Sequence, residues 1–291
     1  MKMNDDCRSC LLGKYLNKHP SDARADDIKA YQAALEDIVQ NRGALSAPEI
    51  VEKFEEKYRE LFGNLSEFER IKPYFNELMM SYEEYMKNSI DSSDDPVKTA
   101  VQYAMAGNFI DFGALKSVEE EKLKELLAAF DRARLDEKTV ESLKRDIKNA
   151  KTLVYFADNC GEIVADKLLI STVRKINPSL DVSVIVRGKP VLNDVTEDDA
   201  RQVGIYDVAR VISNGSGVAG NVLSKISEEA RCAVYNADVL ISKGQGNFES
   251  LSTCGLNVYY IFMCKCELFV RRFGVNMLDG ILVRESDIPQ F

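Results

Sequence analysis

Thr152-Leu153-Val154-Tyr155-Phe156-Ala157 runs without a break into Asp158-Asn159-Cys160-Gly161-Glu162. The first six residues, apolar, aromatic or β-branched, suit a strand buried on both faces. Beyond the glycine, Ile163, Lys167, Ile170 and Val173 recur at helical spacing. Strand, polar turn and helix make the repeating unit of a parallel sheet. Toward the carboxyl end, DVSVIVR (181–187), DVARVI (207–212), ADVLISK (237–243) and NVYYIFM (257–263) repeat the strand signal, with helical patterns between them. The predicted fold class is α/β, a three-layer, Rossmann-like, mostly parallel sheet with a helical amino-terminal part. The boundary falls near Lys151, giving residues 1–150 as the helical part and 151–291 as the α/β part.

The helical part starts from ADDIKAYQAALEDIVQ (25–40), where Ile28, Tyr31, Leu35, Ile38 and Val39 share a face. Ser46 and Glu49 read as a capping box for a helix reaching about Phe62, with Pro48 in its first turn. Further helices are expected over 67–87, 96–106, 118–133 and 137–150, and Pro73 is expected to kink or divide the first.

Composition excludes several classes of function. A net charge of −9 and a pI near 5.0 argue against binding nucleic acid or an anionic membrane. The single histidine, His19, rules out metal sites built from several histidines, and it is the only base available to a Ser-His-Asp or Cys-His hydrolase. Seven cysteines spread over 291 residues form no disulfide framework. The opening residues carry acids and lack a long apolar core, and no apolar run approaches the roughly 20 residues of a membrane span. A cytoplasmic protein is expected.

In open parallel sheets, ligands bind beyond the carboxyl ends of the strands. There the first strand offers Asp158 and Asn159, either as hard oxygen ligands for a cation or simply as a helix cap. The second offers Arg187 and, after Gly188-Lys189-Pro190, Asp194, against a plain reading as a polar loop. ADVLISK ends in Lys243-Gly244-Gln245-Gly246-Asn247-Phe248-Glu249, a lysine beside two glycines but not a P-loop. Oxygen ligands with Arg and Lys at successive strand ends suit phosphoryl chemistry.

Taken in order, FADNCGEIVADKLLI, VRGKPVLNDVTEDDA, ADVLISKGQGNFESL and MCKCE resemble the metal-dependent damage-control phosphatases, an ARMT-like family formerly catalogued as a domain of unknown function. AGNFIDFG (106–113) resembles that family's GN-x-x-D segment. The resemblance implies a divalent-metal phosphatase for small phosphorylated metabolites such as sugar phosphates, phosphopantetheine-like compounds or nucleotides, with Mn2+, Mg2+, Co2+ or Ni2+ as the cation. It implies that Asp158, Asn159 and Asp194 bind the metal and that Lys243 and Asn247 hold the phosphate and order the site. Arg187, Gly244 and Glu249 join the substrate-binding set, and Asn108 and Asp111 reach in from the helical part as a substrate cap. Cys160 departs from the family's usual alanine and reads as tolerated packing. Cys7-x-x-Cys10 and Cys266 match the prokaryote-type branch, as a second metal site, a redox site or buried structural cysteines. A non-catalytic metal- and phosphometabolite-binding protein and a sugar-phosphate or nucleotide transferase are the competing readings.

Overall fold

The computed structural model describes residues 1–63, 67–107 and 135–290. Strands β1 (Thr152–Phe156), β2 (Asp181–Val186), β3 (Arg210–Ser213), β4 (Val239–Lys243), β5 (Val258–Met263) and β6 (Gly280–Arg284) form one sheet in the order β3-β2-β1-β4-β5-β6. The first five are parallel, and β6 runs antiparallel to β5. The α/β expectation is met. β6 was not among the strands read from the sequence.

The helical part comprises α1 (Asp5–Tyr15), α2 (Ala25–Gln40), α3 (Ala47–Phe62), α4 (Glu67–Ser81), α5 (Glu83–Ser92), α6 (Pro96–Gly107) and α7 (Glu137–Asn149). The sheet connections add α8 (Glu162–Ile176), α9 (Glu197–Gln202), α10 (Glu228–Tyr235), α11 (Gln245–Leu251) and α12 (Glu267–Phe273). The capping box of Ser46 and Glu49 is present at α3. Pro73 does not divide its helix: α4 continues through it, and the break falls at Tyr82. A proline removes one ladder bond, and the burial of Phe75 and Met79 in the main core carries the helix past that loss. The helix expected over 118–133 lies outside the described residues. The unforeseen α1 starts from Asn4, whose side chain accepts from the Cys7 amide, with Asp5 and Asp6 in the first turn.

Side chains alternate across the strands, so each sheet face builds its own core. Leu153, Tyr155, Val184 and Ile241 pack with Met79, Val101, Leu143 and Leu169 from α4, α6, α7 and α8 in one continuous cluster. Helices α4 to α7 therefore share the core of the sheet. Val154, Phe156, Ile185 and Leu240 face the other way, onto Ala230, Phe248 and Phe269 of α10, α11 and α12. Helices α1 to α3 close a third cluster around Tyr31, Leu35, Phe54 and Tyr58.

This arrangement fixes where a site can form. β1 pairs with both β2 and β4, so the chain winds away from β1 in two directions and opens a crevice above its carboxyl end. Asn76 of α4 ties the helical part to that spot: fully buried, it accepts from the Gly161 amide at 2.7 Å and donates to Gln202 at 2.8 Å. Asn76→Ala should leave the Gly161 donor without a partner and cost about 1–3 kcal/mol of stability in chemical denaturation. An unchanged midpoint would show that the turn does not depend on this bond.

Candidate active site

The turn after β1 is tight because Gly161 takes φ 77° and ψ −55°, a backbone region that side chains rarely enter. It is zipped to the loop after β2. Cys160 donates to the Asn193 carbonyl at 2.9 Å, Val195 donates to the Asp158 carbonyl at 2.9 Å, and Asn159 and Asp194 form a bridge. The three expected metal ligands are thus drawn together. Arg187, 1% exposed, pins them from below: its Nε donates to Asp194 Oδ2 at 2.6 Å, and its guanidinium lies 3.6 Å from Asp158 Oδ1. Arg187 Nη1 is buried with no acceptor.

Gly244 supplies the space for Asp158. A Cβ at Gly244 would lie 1.8 Å from Asp158 Oδ2, so only glycine admits the carboxylate there. Asn247 is the knot that joins the strand ends. Its amide donates to the carbonyls of Ala157 at 3.1 Å and Lys243 at 2.7 Å. Its oxygen accepts from Arg187 at 3.1 Å and Asn221 at 2.8 Å. With those bonds made, Asn247 orders the site rather than offering itself to a ligand.

Lys243 sits elsewhere than a phosphate-facing role would put it. It is fully buried on the α6–α8 side of the sheet. Its ammonium donates to the Ala104 carbonyl at 2.6 Å, to Asp166 Oδ1 at 2.7 Å and to Glu162 Oε1. An ammonium has three donors, and all three are used. Glu162 and Asp166, one helical turn apart at the start of α8, are the functional candidates that the sequence reading missed. Two acids four residues apart on an otherwise apolar helix face were the available signal. Tyr155 completes this group by donating to Asp166 Oδ1 at 2.7 Å.

The charges do not balance. Asp158, Glu162, Asp166 and Asp194 are all buried, and Arg187 and Lys243 are the cations that pair with them directly. Burial first, then Glu162 and Asp194, push the Asp158 carboxyl well above the usual range. Burial also raises Asp194 against the opposing pull of Arg187. Asp166 is pushed up to about 7, by burial working against Lys243. Lys243 is itself held above its usual value: burial lowers it, and Asp166 and Glu162 more than reverse that.

Asp158, Asn159, Asn193 and Asp194 line a cleft of about 740 Å³, walled by Lys14 and Tyr15 of α1, Pro48 and Val51 of α3, and Lys265 and Arg271. The size suits a small metabolite. Glu249 also lines it, accepting from Gln245 at 2.9 Å. So do Cys7, Cys10 and Cys266. Among the described residues, no group of three His, Cys, Asp or Glu side chains is placed to hold a metal ion, which removes the structural support for a three-thiolate metal site. Burial, then Glu249, pushes Cys7 up to about 11, and burial raises Cys266, so both are protonated thiols near neutral pH. Cys160 is buried, as a packing residue should be. Asn108 and Asp111 lie outside the described residues. The preceding Gly107 packs on Glu162, where a Cβ would come within 3.0 Å of its Cα.

The damage-control phosphatase ARMT1-like domain family matches residues 3–281. A damage-control phosphatase of Archaeoglobus fulgidus is 30% identical over 97% of this chain and 98% of its own. One from Pyrococcus horikoshii is 35% identical over 60% of this chain and 61% of its own. The crystal structure of a DUF89 family protein from Pyrococcus horikoshii superposes with a TM-score of 0.84 at 26% identity, covering 98% of this chain and 99% of that one.

The raised carboxyls set the pH behaviour. Folded Asp166 binds its proton more tightly than the unfolded chain does, so stability falls as pH rises from about 4 to about 7. Asp158 and Asp194 act in the same direction. The metal-free melting temperature should drop across this window, and Asp166→Asn should flatten the drop. A metal-free melting temperature that rises with pH across it would contradict the assigned charges.

Proposed function

The chain belongs to the damage-control phosphatase ARMT1-like family, and on that footing we propose that it is a divalent-metal-dependent phosphomonoesterase acting on small phosphorylated metabolites. The observation that supports this reading is a surplus of buried negative charge: Asp158 and Asp194 line the cleft, Glu162 and Asp166 are buried behind them, and Arg187 and Lys243 are the cations in contact with the four. One divalent ion supplies the missing charge. Two carboxylates and an amide oxygen form a hard donor set suited to Mn2+, Mg2+, Co2+ or Ni2+. Asp158, Asn159 and Asp194 would hold it, and when bound it polarises the phosphoryl oxygen and offsets its charge.

The chain's own residues do the positioning. Arg187 orients Asp194 and, with Lys243, places fixed positive charge beneath the floor. Gly244 admits the Asp158 carboxylate, and Asn247 holds three strand ends at one spacing, so the site needs little reorganisation as charge builds on the phosphoryl group. Asp158 serves first as a ligand, with a nucleophilic role as the alternative. Above the floor, Tyr15, Pro48 and Val51 offer apolar surface to the body of the substrate, while Lys14, Lys265 and Arg271 bring positive charge to the cleft. Asn108 and Asp111 complete the substrate set from the helical cap of residues 1–150, over the metal- and phosphate-binding part of 151–291. Free cysteines suit a cytoplasmic setting, and no described helix is long and apolar enough to cross a membrane.

Phosphate release from p-nitrophenyl phosphate should require added Mn2+ or Mg2+ and stop with EDTA. Asp158→Ala and Asp194→Ala should each lower it at least about 100-fold while the protein stays folded, a loss of the size seen when one preorganised group is removed. Binding without release would favour a non-catalytic protein, and phosphoryl transfer to an added acceptor would favour a transferase.

A further inference from the structure

The amide of Asn159 has only one workable orientation. Its Nδ2 lies 2.7 Å from Asp158 Oδ2 and 3.0 Å from Glu162 Oε2. With its other oxygen on the Lys243 ammonium, Glu162 presents Oε2 as an acceptor, so the NH2 group must face it, and Asp158 takes the second hydrogen in the carboxylate form that a metal ligand requires. Both amide hydrogens are spent there, which leaves Oδ1 as the amide's acceptor for the cleft that Asn159 lines. Glu162 is held in turn. Its other oxygen, Oε1, takes the Lys243 ammonium, and Lys243 is anchored by Asp166 Oδ1 at 2.7 Å and the Ala104 carbonyl at 2.6 Å. Tyr155 secures Asp166 from β1. Glu162, Asp166 and Lys243 are fully buried, so solvent supplies no substitute partner. Gly107 closes the far side of Glu162, where any larger residue would meet its Cα and Cγ at 3.0 Å.

We propose that Glu162 is a positioning residue for the cation site: anchored by Lys243, it fixes the Asn159 amide with its oxygen presented as a metal ligand. The proposal rests on the reading of Asp158, Asn159 and Asp194 as the cation site. It gives Lys243 work that does not require contact with substrate. Without Glu162 the amide loses one of the two carboxylates that orient it, and the flipped form, which turns NH2 toward the cation, becomes accessible. Groups that orient a metal ligand in this way typically change metal affinity 10–100-fold when removed.

The test is Mn2+ binding to the full chain by electron paramagnetic resonance titration, with melting temperature and turnover measured alongside. Glu162→Gln is isosteric and removes a charge from a site with surplus negative charge, which makes it the substitution least disruptive to the fold. Its Kd for Mn2+ should rise at least about tenfold, while kcat at saturating Mn2+ returns to within about threefold of wild type. Lys243→Met should weaken Mn2+ in the same way. The double variant Glu162→Gln/Lys243→Met should be no worse than the weaker-binding single, because both act through one amide. This neutral pair also carries the test if the single substitution at Glu162 fails to fold. A folded Glu162→Gln or double variant that binds Mn2+ within twofold of wild type overturns the proposal. So does a Lys243→Met variant that keeps Mn2+ affinity but loses competitive inhibition by inorganic phosphate, which would make Lys243 a phosphate ligand. Asp158→Asn tests the underlying reading separately: if it binds Mn2+ as wild type does, the cation site itself is misplaced.

Discussion

Burying four carboxylates with two cations is the constraint around which this molecule is built. Isolated buried charge is expensive, and it is tolerated only where partners and hydrogen bonds surround it. Nearly every unusual feature at the strand ends meets that requirement. Arg187 lies between Asp194 and Asp158, Lys243 spends all its donors beside Glu162 and Asp166, and Gly244 gives up its side chain to make room for Asp158. What these contacts leave unbalanced, the one divalent cation of the proposed function would match.

The helical part contributes to this electrostatic unit rather than simply covering it. Asn76 of α4 caps the Gly161 amide, the Ala104 carbonyl of α6 accepts a hydrogen bond from Lys243, and Gly107 packs on Glu162. Helices α1 and α3 then supply walls of the cleft. The crevice above β1 is therefore shaped by both parts of the chain, with Asp158 and Asp194 at the strand ends and Tyr15, Pro48 and Val51 offering apolar surface from α1 and α3.

The sheet was legible because strands buried on both faces leave continuous β-branched and aromatic runs, and five of six were readable that way. β6, an antiparallel edge strand with only Ile281, Leu282 and Val283 apolar, was not read. The strand-end rule located Asp158, Asn159, Asp194 and Arg187, and the structure brings them together. It could not assign their neighbours. Whether Lys243 turns toward the cleft or toward α8 depends on which sheet face its register selects, and the acids that claim it lie some 80 positions away in the chain. Glu162 and Asp166 fall at the start of a helix, where acids are common, and only the packing of α6 and β4 against α8 removes them from solvent. Pro73 does not divide its helix for a related reason: tertiary burial carries α4 past the position where local propensity would allow a break.

A crystal soaked in Mn2+ and measured near the manganese absorption edge tests the central claim most directly. The account predicts one anomalous peak at the floor of the cleft, with oxygens of Asp158, Asn159 and Asp194 at about 2.0–2.6 Å. A peak on the sulfurs of Cys7, Cys10 and Cys266, or none between Asp158 and Asp194, would contradict it.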